Sequence, residues 1–238
     1  MAKQTRRERL QEKEQHIIAA AQEEFLRHGF DGAKVAHIAR RADIAEGTIY
    51  LYFKNKNALL LAVVASFYER LTAGASAGVA GRDATHARLE FLVHHHLECC
   101  IKEWGIIEQV AAAYRLIGDY RGSRYIEFNR TYVAIFDAVI KEGVSRGDIR
   151  KDIPLQVMRD LFYGALEYSA RTHMIRESTS GSPRKIANLS RQIMALVGPA
   201  LGLENPLDHA GATGDLRELT RRLENVVDHL ETSLVKSP

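Results

Sequence analysis

Apolar side chains recur at intervals of three and four along almost the whole chain, and no long stretch alternates apolar with polar residues. That period belongs to amphipathic helices rather than to strands. Only five prolines interrupt it in 238 residues, so the chain is expected to be all-α. Residues 9–28 read as a first helix, with Ile17, Ile18, Ala21, Phe25 and Leu26 on one face and Gly29 as its natural stop. Val35, Ile38, Ala39 and Ala42 then have the spacing of a two-turn helix, which Asp43 and Ile44 break. Another short helix is expected at about 46–52, with Ile49 inward. A long helix begins near Asn57 and runs through Leu59, Leu60, Val63, Val64, Phe67 and Leu71. It is expected to fray in the Gly/Ala/Ser stretch Gly74–Gly81, which reads as a junction. Further helices are expected over about 83–103, 106–117, 122–146, 154–176 and 183–201. Pro183 opens the last of these and Gly202 closes it. Asn205–Gly214 reads as a loop, and 215–235 as a final amphipathic helix built on Leu216, Leu219, Leu223, Val226 and Leu230.

Two short helices three or four residues apart, carried on a scaffold helix, are the helix-turn-helix plan. The second must be narrow, exposed and rich in hydrogen-bonding tips to enter a major groove about 12 Å wide. Residues 46–56 meet that description. Thr48, Tyr50 and Tyr52 alternate there with Ile49, Leu51 and Phe53, and Lys54 and Lys56 follow. Aromatic rings can pack on sugars while ammonium groups meet phosphates. The charge distribution agrees. Residues 1–56 hold 11 Lys/Arg and 8 Asp/Glu, whereas the remainder holds 22 of each, so the whole surplus of three lies in the first quarter. Arg6, Arg7 and Arg9 form a basic arm suited to phosphate or minor-groove contact, or else a solvated terminus.

Other classes find less support. No run of about 18 uncharged apolar residues is present, so no membrane span is expected. The start, MAKQTRRERLQEKEQ, lacks the apolar core of a secretory signal. Cys99 and Cys100 are neighbours and cannot build a disulfide framework, which fits a reducing cytoplasm. There is no Gly-rich phosphate loop, no Gly-x-Ser-x-Gly elbow and no His-Glu-x-x-His, so an enzyme is not expected. His94, His95, His96, Cys99 and Cys100 share one helix, and His95–Cys99 and His96–Cys100 are i, i+4 pairs that could hold a metal from one face. No further pair completes a tetrahedral set, and helical cysteine is commonly a small buried hydrophobe. No metal and no cofactor are expected.

The run Ile38-Ala39 through Gly47-Thr48-Ile49-Tyr50-Leu51-Tyr52-Phe53-Lys54-Asn55-Lys56, then Ala58-Leu59-Leu60, closely resembles the TetR family of bacterial transcriptional repressors. Ile17, Ala20, Ala21, Phe25, Gly29 and Phe30 are similar to that family's first helix. The resemblance covers residues 11–71, with the motif itself at 34–53. It implies an N-terminal three-helix helix-turn-helix DNA-binding domain joined to a helical effector-binding and dimerisation domain over 72–203. Residues 1–10 are left as the basic arm, and 204–238 as a loop and terminal helix that packs on its own subunit or extends a dimer. By resemblance, Thr48, Tyr50 and Tyr52 face DNA, Lys56 meets a phosphate, and Ile38, Ala39 and Phe53 are core. Ala33 and Lys34 stand where the family often starts the second helix with Thr or Ser, a lost cap of about 1 kcal/mol, though Lys34 could instead meet a phosphate; Ala45, also at the DNA-binding face, lacks another cap and a possible phosphate donor. The turn reads Ala42-Asp43-Ile44-Ala45 instead of the frequent Ala-Gly-Val-Ser, and Asp tolerates the left-handed conformation that such a turn needs.

The family reading implies double-stranded operator DNA, a homodimer and a small hydrophobic effector as partners. Leu161, Phe162, Ala165, Leu189, Ile193 and Leu196 are expected at the dimer contact or in the core. Gly-Val-Ser-Arg-Gly-Asp-Ile at 143–149 and Phe162-Tyr163-Gly164-Ala165-Leu166-Glu167 are similar to the fatty acyl-CoA-sensing branch, the fatty-acid-degradation repressors. An acyl-CoA needs an apolar tunnel with cations near its mouth. Phe91, Trp104, Ile107, Phe128, Tyr132 and Phe136 are candidates for the tunnel, with Glu167 and His173 beside it. Arg115, Arg121, Arg124 and Arg130 are candidates for the phosphates. The alternatives are plain core for the rings and a solvated face for the arginines. His173 departs from the Trp usual in that branch. Two other readings stay open: a repressor of efflux or stress genes sensing another hydrophobic ligand or a metal, and a DNA-architecture protein on the same fold without an effector.

Overall fold

The computed structural model describes residues 6–106, 124–177 and 182–203. Among these the elements are α1 (Arg6–Gly32), α2 (Val35–Arg41), α3 (Glu46–Tyr52), α4 (Lys56–Ala80), α5 (Thr85–Lys102), α6 (Arg124–Arg146), α7 (Leu155–Glu177) and α8 (Pro183–Ala200), and no strand is present. Residues 104–106 are also helical. The helices expected over 106–117 and 215–235, and the loop at 205–214, lie outside the described residues apart from Ile106.

Two hydrophobic cores organise the molecule. The first gathers Ile17 and Phe25 of α1, Ile38 of α2, Ile49 of α3 and Leu59 and Val63 of α4. The second gathers Leu89 and Leu97 of α5, Phe136 of α6, Phe162 and Leu166 of α7 and Ile193 and Val197 of α8. Helix α4 runs through both, giving Leu59, Leu60, Val63 and Val64 to the first and Phe67, Leu71 and Ala75 to the second. Its length and apolar composition are enough to cross a membrane, but these side chains are committed to the two cores. Tyr68 packs against both clusters, so α4 is shared between them.

Three local features differ from the sequence expectation. Arg6 and Arg7 are not on a separate arm: α1 begins at Arg6, and both are exposed on its first turn. Residues 6–14 are all strong helix formers, which explains the extension. At Gly29 the helix breaks with φ 67, a value that suits glycine, and one more turn follows. The stretch Gly74–Gly81 does not fray, because α4 continues to Ala80. Its glycines serve a close helix–helix approach. A Cβ at Gly74 would lie 2.6 Å from the His95 ring, and one at Gly78 only 1.9 Å from the Phe91 ring. Phe91 is itself held between Arg82, 4.1 Å above its ring, and His95, stacked at 5.4 Å. Gly78→Ala is therefore expected to destabilise the chain by about 1–3 kcal/mol through overpacking. Adding Phe91→Ala should return much of that loss in a thermal melt. The turn between α2 and α3 does place Asp43 in the left-handed region, at φ 54.

Candidate DNA interface and effector cavity

The short helices are positioned from below by a buried carboxylate that the sequence reading passed over. Glu24 of α1 is 1% exposed. Its Oε1 accepts from the Lys34 N–H at 3.4 Å and pairs with His37 Nδ1 at 3.1 Å, and Arg41 lies 3.7 Å from Oε2. Desolvation pushes this carboxyl up, but the Lys34 N–H and His37 outweigh it and hold it below its ordinary range. Lys34 and Ala45 are N-caps without a side-chain cap bond, as their residue types dictate. Glu24 ties the start of α2 to α1 instead.

Helix α3 turns about 100° per residue, so its outward face follows three-and-four spacing rather than alternation. Gly47, Tyr50, Leu51 and Lys54 are exposed, Tyr50 by 50% and Leu51 by 83%. Thr48 is partly buried, and Tyr52 is partly buried against the first core. Leu51 was paired with the inward Ile49 and Phe53 on the sequence; the structure makes it the most exposed large hydrophobic residue described. Lys56 is engaged within the protein. Its Nζ donates to the Ala33 carbonyl at 2.8 Å and the Asp31 carbonyl at 3.2 Å, and lies 4.7 Å over the Phe30 ring. This ammonium caps the carbonyl end of α1.

A cavity of about 750 Å³ opens in the second core. Phe67, Tyr68 and Leu71 of α4, Trp104, Val133 and Ala170 supply apolar wall. His96, Tyr132, Tyr163 and Asn129 supply polar groups, and Arg159, Asp160, Glu167 and Arg171 supply charged ones. Trp104, Tyr132 and Glu167 thus line the same cavity. Phe128 stands one step behind the wall, stacked on Tyr68 at 6.2 Å. Phe91 and Phe136 are not lining residues: Phe91 seals α4 against α5, and Phe136 is fully buried with its ring 4.4 Å from that of Phe162. His173 is also apart from the wall, with a buried Nε2 that has no partner among the described residues. Arg130 is exposed and does not line the cavity. Ile107, Arg115 and Arg121, with the side chain of Arg124, lie outside the described residues. Arg159 is paired with Asp137, Nε to Oδ1 at 3.0 Å and Nη2 to Oδ2 at 2.5 Å. Glu167 sits at the rim, and desolvation raises its carboxyl above the ordinary range.

The three consecutive histidines point to three different helices. His94 Nδ1 meets Ser190 Oγ of α8 at 3.3 Å, His95 Nε2 meets the Leu71 carbonyl of α4 at 2.9 Å, and His96 Nδ1 meets the Tyr132 hydroxyl of α6 at 3.0 Å. Among the described residues they form no metal-ligand group with the cysteines, and burial raises both thiols, Cys99 to about 11. Burial likewise depresses His96 from 6.5 to about 4, with neighbouring His95 adding to the shift. Unfolding at acid pH therefore takes up a proton here. Stability is full above pH 6.5 and falls through that value towards pH 4, by about 3 kcal/mol at about 1.4 kcal/mol per unit. His96→Asn should lack this component in urea melts between pH 7 and pH 4.

A bridge joins cavity and DNA-binding core where α5 ends. Arg70 Nη2 of α4 donates to both oxygens of Glu103, at 2.9 and 2.7 Å, and Gln22 Nε2 of α1 donates to Oε2 at 2.8 Å. The next residue, Trp104, lines the cavity. Gly105 lies against Leu26 of α1, and Ile106 is fully buried in the first core.

On α7 and α8 the expected dimer residues divide. Phe162 and Ile193 are buried in the protomer's own core, and Ala165 and Leu189 pack partly against it. Leu161 and Leu196 are exposed, by 43% and 51%, beside the exposed Val157 and Tyr168.

Among the described residues, a helix-turn-helix head sits on a helical body that holds a cavity, an arrangement suited to a DNA-binding regulator. Residues 17–63 match the model described as bacterial regulatory proteins of the tetR family, and 68–197 match the YsiA-like protein C-terminal region. The chain belongs to the TetR family of transcriptional regulators. It is 24% identical over 165 residues to the fatty acid metabolism regulator protein of Bacillus subtilis, covering 68% of this chain and 83% of that one. It is 26% identical over 182 residues to the transcriptional regulator SrpR of Pseudomonas putida, covering 70% and 76%. Among solved structures it resembles FadR of Bacillus subtilis in complex with stearoyl-CoA, with a TM-score of 0.63, 21% identity and coverage of 77% and 96%. The fatty acid degradation regulator FadR of Bacillus halodurans gives a TM-score of 0.67 at 21% identity, covering 82% and 96%.

Proposed function

We propose that this protein is a cytoplasmic, homodimeric repressor released from its operator by a long-chain fatty acyl-CoA. The observation that carries the reading is the cavity of about 750 Å³ whose wall residue Trp104 adjoins the Glu103 bridge to the DNA-binding core. A volume in this range suits a small ligand. Its position lets occupancy bias the α1–α4 arrangement, and hence the separation of two recognition helices that must lie about one DNA turn apart. The fatty-acid regulators among the similar proteins support acyl-CoA as the class. Tyr50, Leu51 and Lys54 are the proposed base-edge and phosphate contacts, with Thr48 and Tyr52 at their flank and Lys34, Arg6 and Arg7 at the backbone. Leu161 and Leu196 are the proposed centre of the dimer contact.

Trp104 is the chain's single tryptophan. Stearoyl-CoA should therefore change intrinsic fluorescence in a saturable way at micromolar concentration, and free CoA should not. A flat titration would remove acyl-CoA from the cavity. The carboxylates Asp160 and Glu167 beside Arg171 favour a second reading, an apolar effector without a polyphosphate.

A further inference from the structure

The cavity opens on one face of α7. Asp160, Gly164, Glu167, Tyr168 and Arg171 all line it, yet all five are exposed. A binding pocket encloses most of its ligand, so a mouth framed by exposed side chains calls for a cover. The same face carries apolar side chains that the protomer leaves in water: Val157, Leu161, Tyr168 and Ile175 are exposed by 53%, 43%, 65% and 73%. At about 100° per residue they form one stripe, with Gly164 inside it and Asp160 and Arg171 together along its cavity edge. Stripe and mouth share Gly164 and Tyr168, so whatever covers the one covers the other. An apolar stripe with a polar rim marks a protein contact.

The stripe is complementary to itself. In a two-fold contact, a residue that meets a second residue of the partner is met in turn by its own copy of that residue. When two copies of α7 are laid antiparallel about Leu166, Val157 falls opposite Ile175 and Gly164 opposite Tyr168, nine and two residues from the centre. A Cβ at Gly164 would meet nothing within 4 Å among the described residues, which leaves an open notch for a ring. Asp160 and Arg171, six and five residues from the same centre, fall opposite each other on the cavity side. Neither belongs to an ion pair of its own protomer among the described residues. One centre thus satisfies an aliphatic pair, a ring with its notch and a charge pair, which argues for a second copy of this chain as the cover.

We propose that two copies pair α7 against α7 in this register, so that the partner's Tyr168 seats on Gly164, the partner's Arg171 meets Asp160, and each protomer closes the other's cavity. This rests on the homodimer and effector-cavity reading above and adds the register and the residues that one copy contributes to the other's site. Effector and dimer are then linked: filling the cavity tightens the dimer, and dissociation opens the cavity.

Sedimentation of the full-length protein tests the register without effector or DNA. Asp160→Arg and Arg171→Asp each set like charges against one another twice per dimer, and each should weaken the dimer by about 10-fold or more. The variant carrying both changes should return to within about threefold of the unaltered protein. Within one protomer these residues are about 16 Å apart along α7, so only a contact between copies can produce that rescue. The cover is tested by Trp104, the single tryptophan, which lines the cavity. Its quenching by acrylamide should rise as the dimer is diluted apart, and in either single variant. A dimer indifferent to both charges, or a loss that the paired changes do not recover, would overturn the register. Quenching that ignores dissociation would mean that another part of this chain covers the mouth, and would overturn the closure. A monomer at every concentration would overturn the dimer itself. None of these outcomes depends on stearoyl-CoA or an operator, so the acyl-CoA reading stands or falls separately.

Discussion

Replacing Tyr50 and Leu51 together with alanine is expected to lower specific operator affinity by about 100-fold or more, roughly 2.7 kcal/mol. These side chains form the outward face of α3, and neither is needed by the core below it. Leu51 offers an apolar surface suited to a thymine methyl, and Tyr50 a hydroxyl and a ring. Non-specific affinity should change little, because it rests on phosphate neutralisation, and the salt dependence of that weak binding should persist. Size-exclusion chromatography should show the dimer intact. Retained specific affinity would move recognition off this face. Lys56→Ala should act differently. It removes the cap on the Asp31 and Ala33 carbonyls, so its loss should appear first as lowered thermal stability of the DNA-binding half.

Glu103→Ala is expected to uncouple the two halves. It releases Gln22 on α1 and Arg70 on α4 at one stroke. The pair is partly exposed, Arg70 by 48%, so the stability loss should stay near 1 kcal/mol or below. The larger effect is on linkage. Couplings between sites are typically 1–3 kcal/mol, and most of this one should vanish, so that effector saturates the Trp104 signal while operator affinity barely moves. Reciprocity supplies a check, because operator DNA should then cease to weaken effector binding. Undiminished release in Glu103→Ala would place the coupling elsewhere along α4.

Much of the molecule was legible in the sequence. The short helices and the inward Ile38 and Ile49 follow from local spacing, the Asp43 turn from the chemistry of a left-handed residue, and the buried Phe53 from the family resemblance. What escaped depended on distant partners. Gly74 and Gly78 resemble a break until His95 and Phe91 of α5 are seen against them. Leu51 alternates with polar residues in the sequence but is carried outward by the 100° step of a helix. Glu24 is an ordinary charged residue in the sequence and becomes a buried clamp only when His37 and Lys34 close over it. In the cavity, Trp104, Tyr132 and Glu167 announced themselves as aromatic or acidic residues near the branch-like motifs. Tyr163 and His96 join the same cavity wall only through the crossing of α5 and α7, which no single window of sequence contains.

The most direct test is fluorescence anisotropy with a duplex from upstream of the protein's own gene, at one fixed salt concentration because phosphate contacts are salt-sensitive. The expected result is binding about 10³-fold or more tighter than to a scrambled duplex, with release by micromolar stearoyl-CoA and none by free CoA. Equal affinity for the scrambled duplex, or specific binding that persists while stearoyl-CoA saturates the Trp104 signal, would contradict a repressor whose cavity governs its grip on DNA.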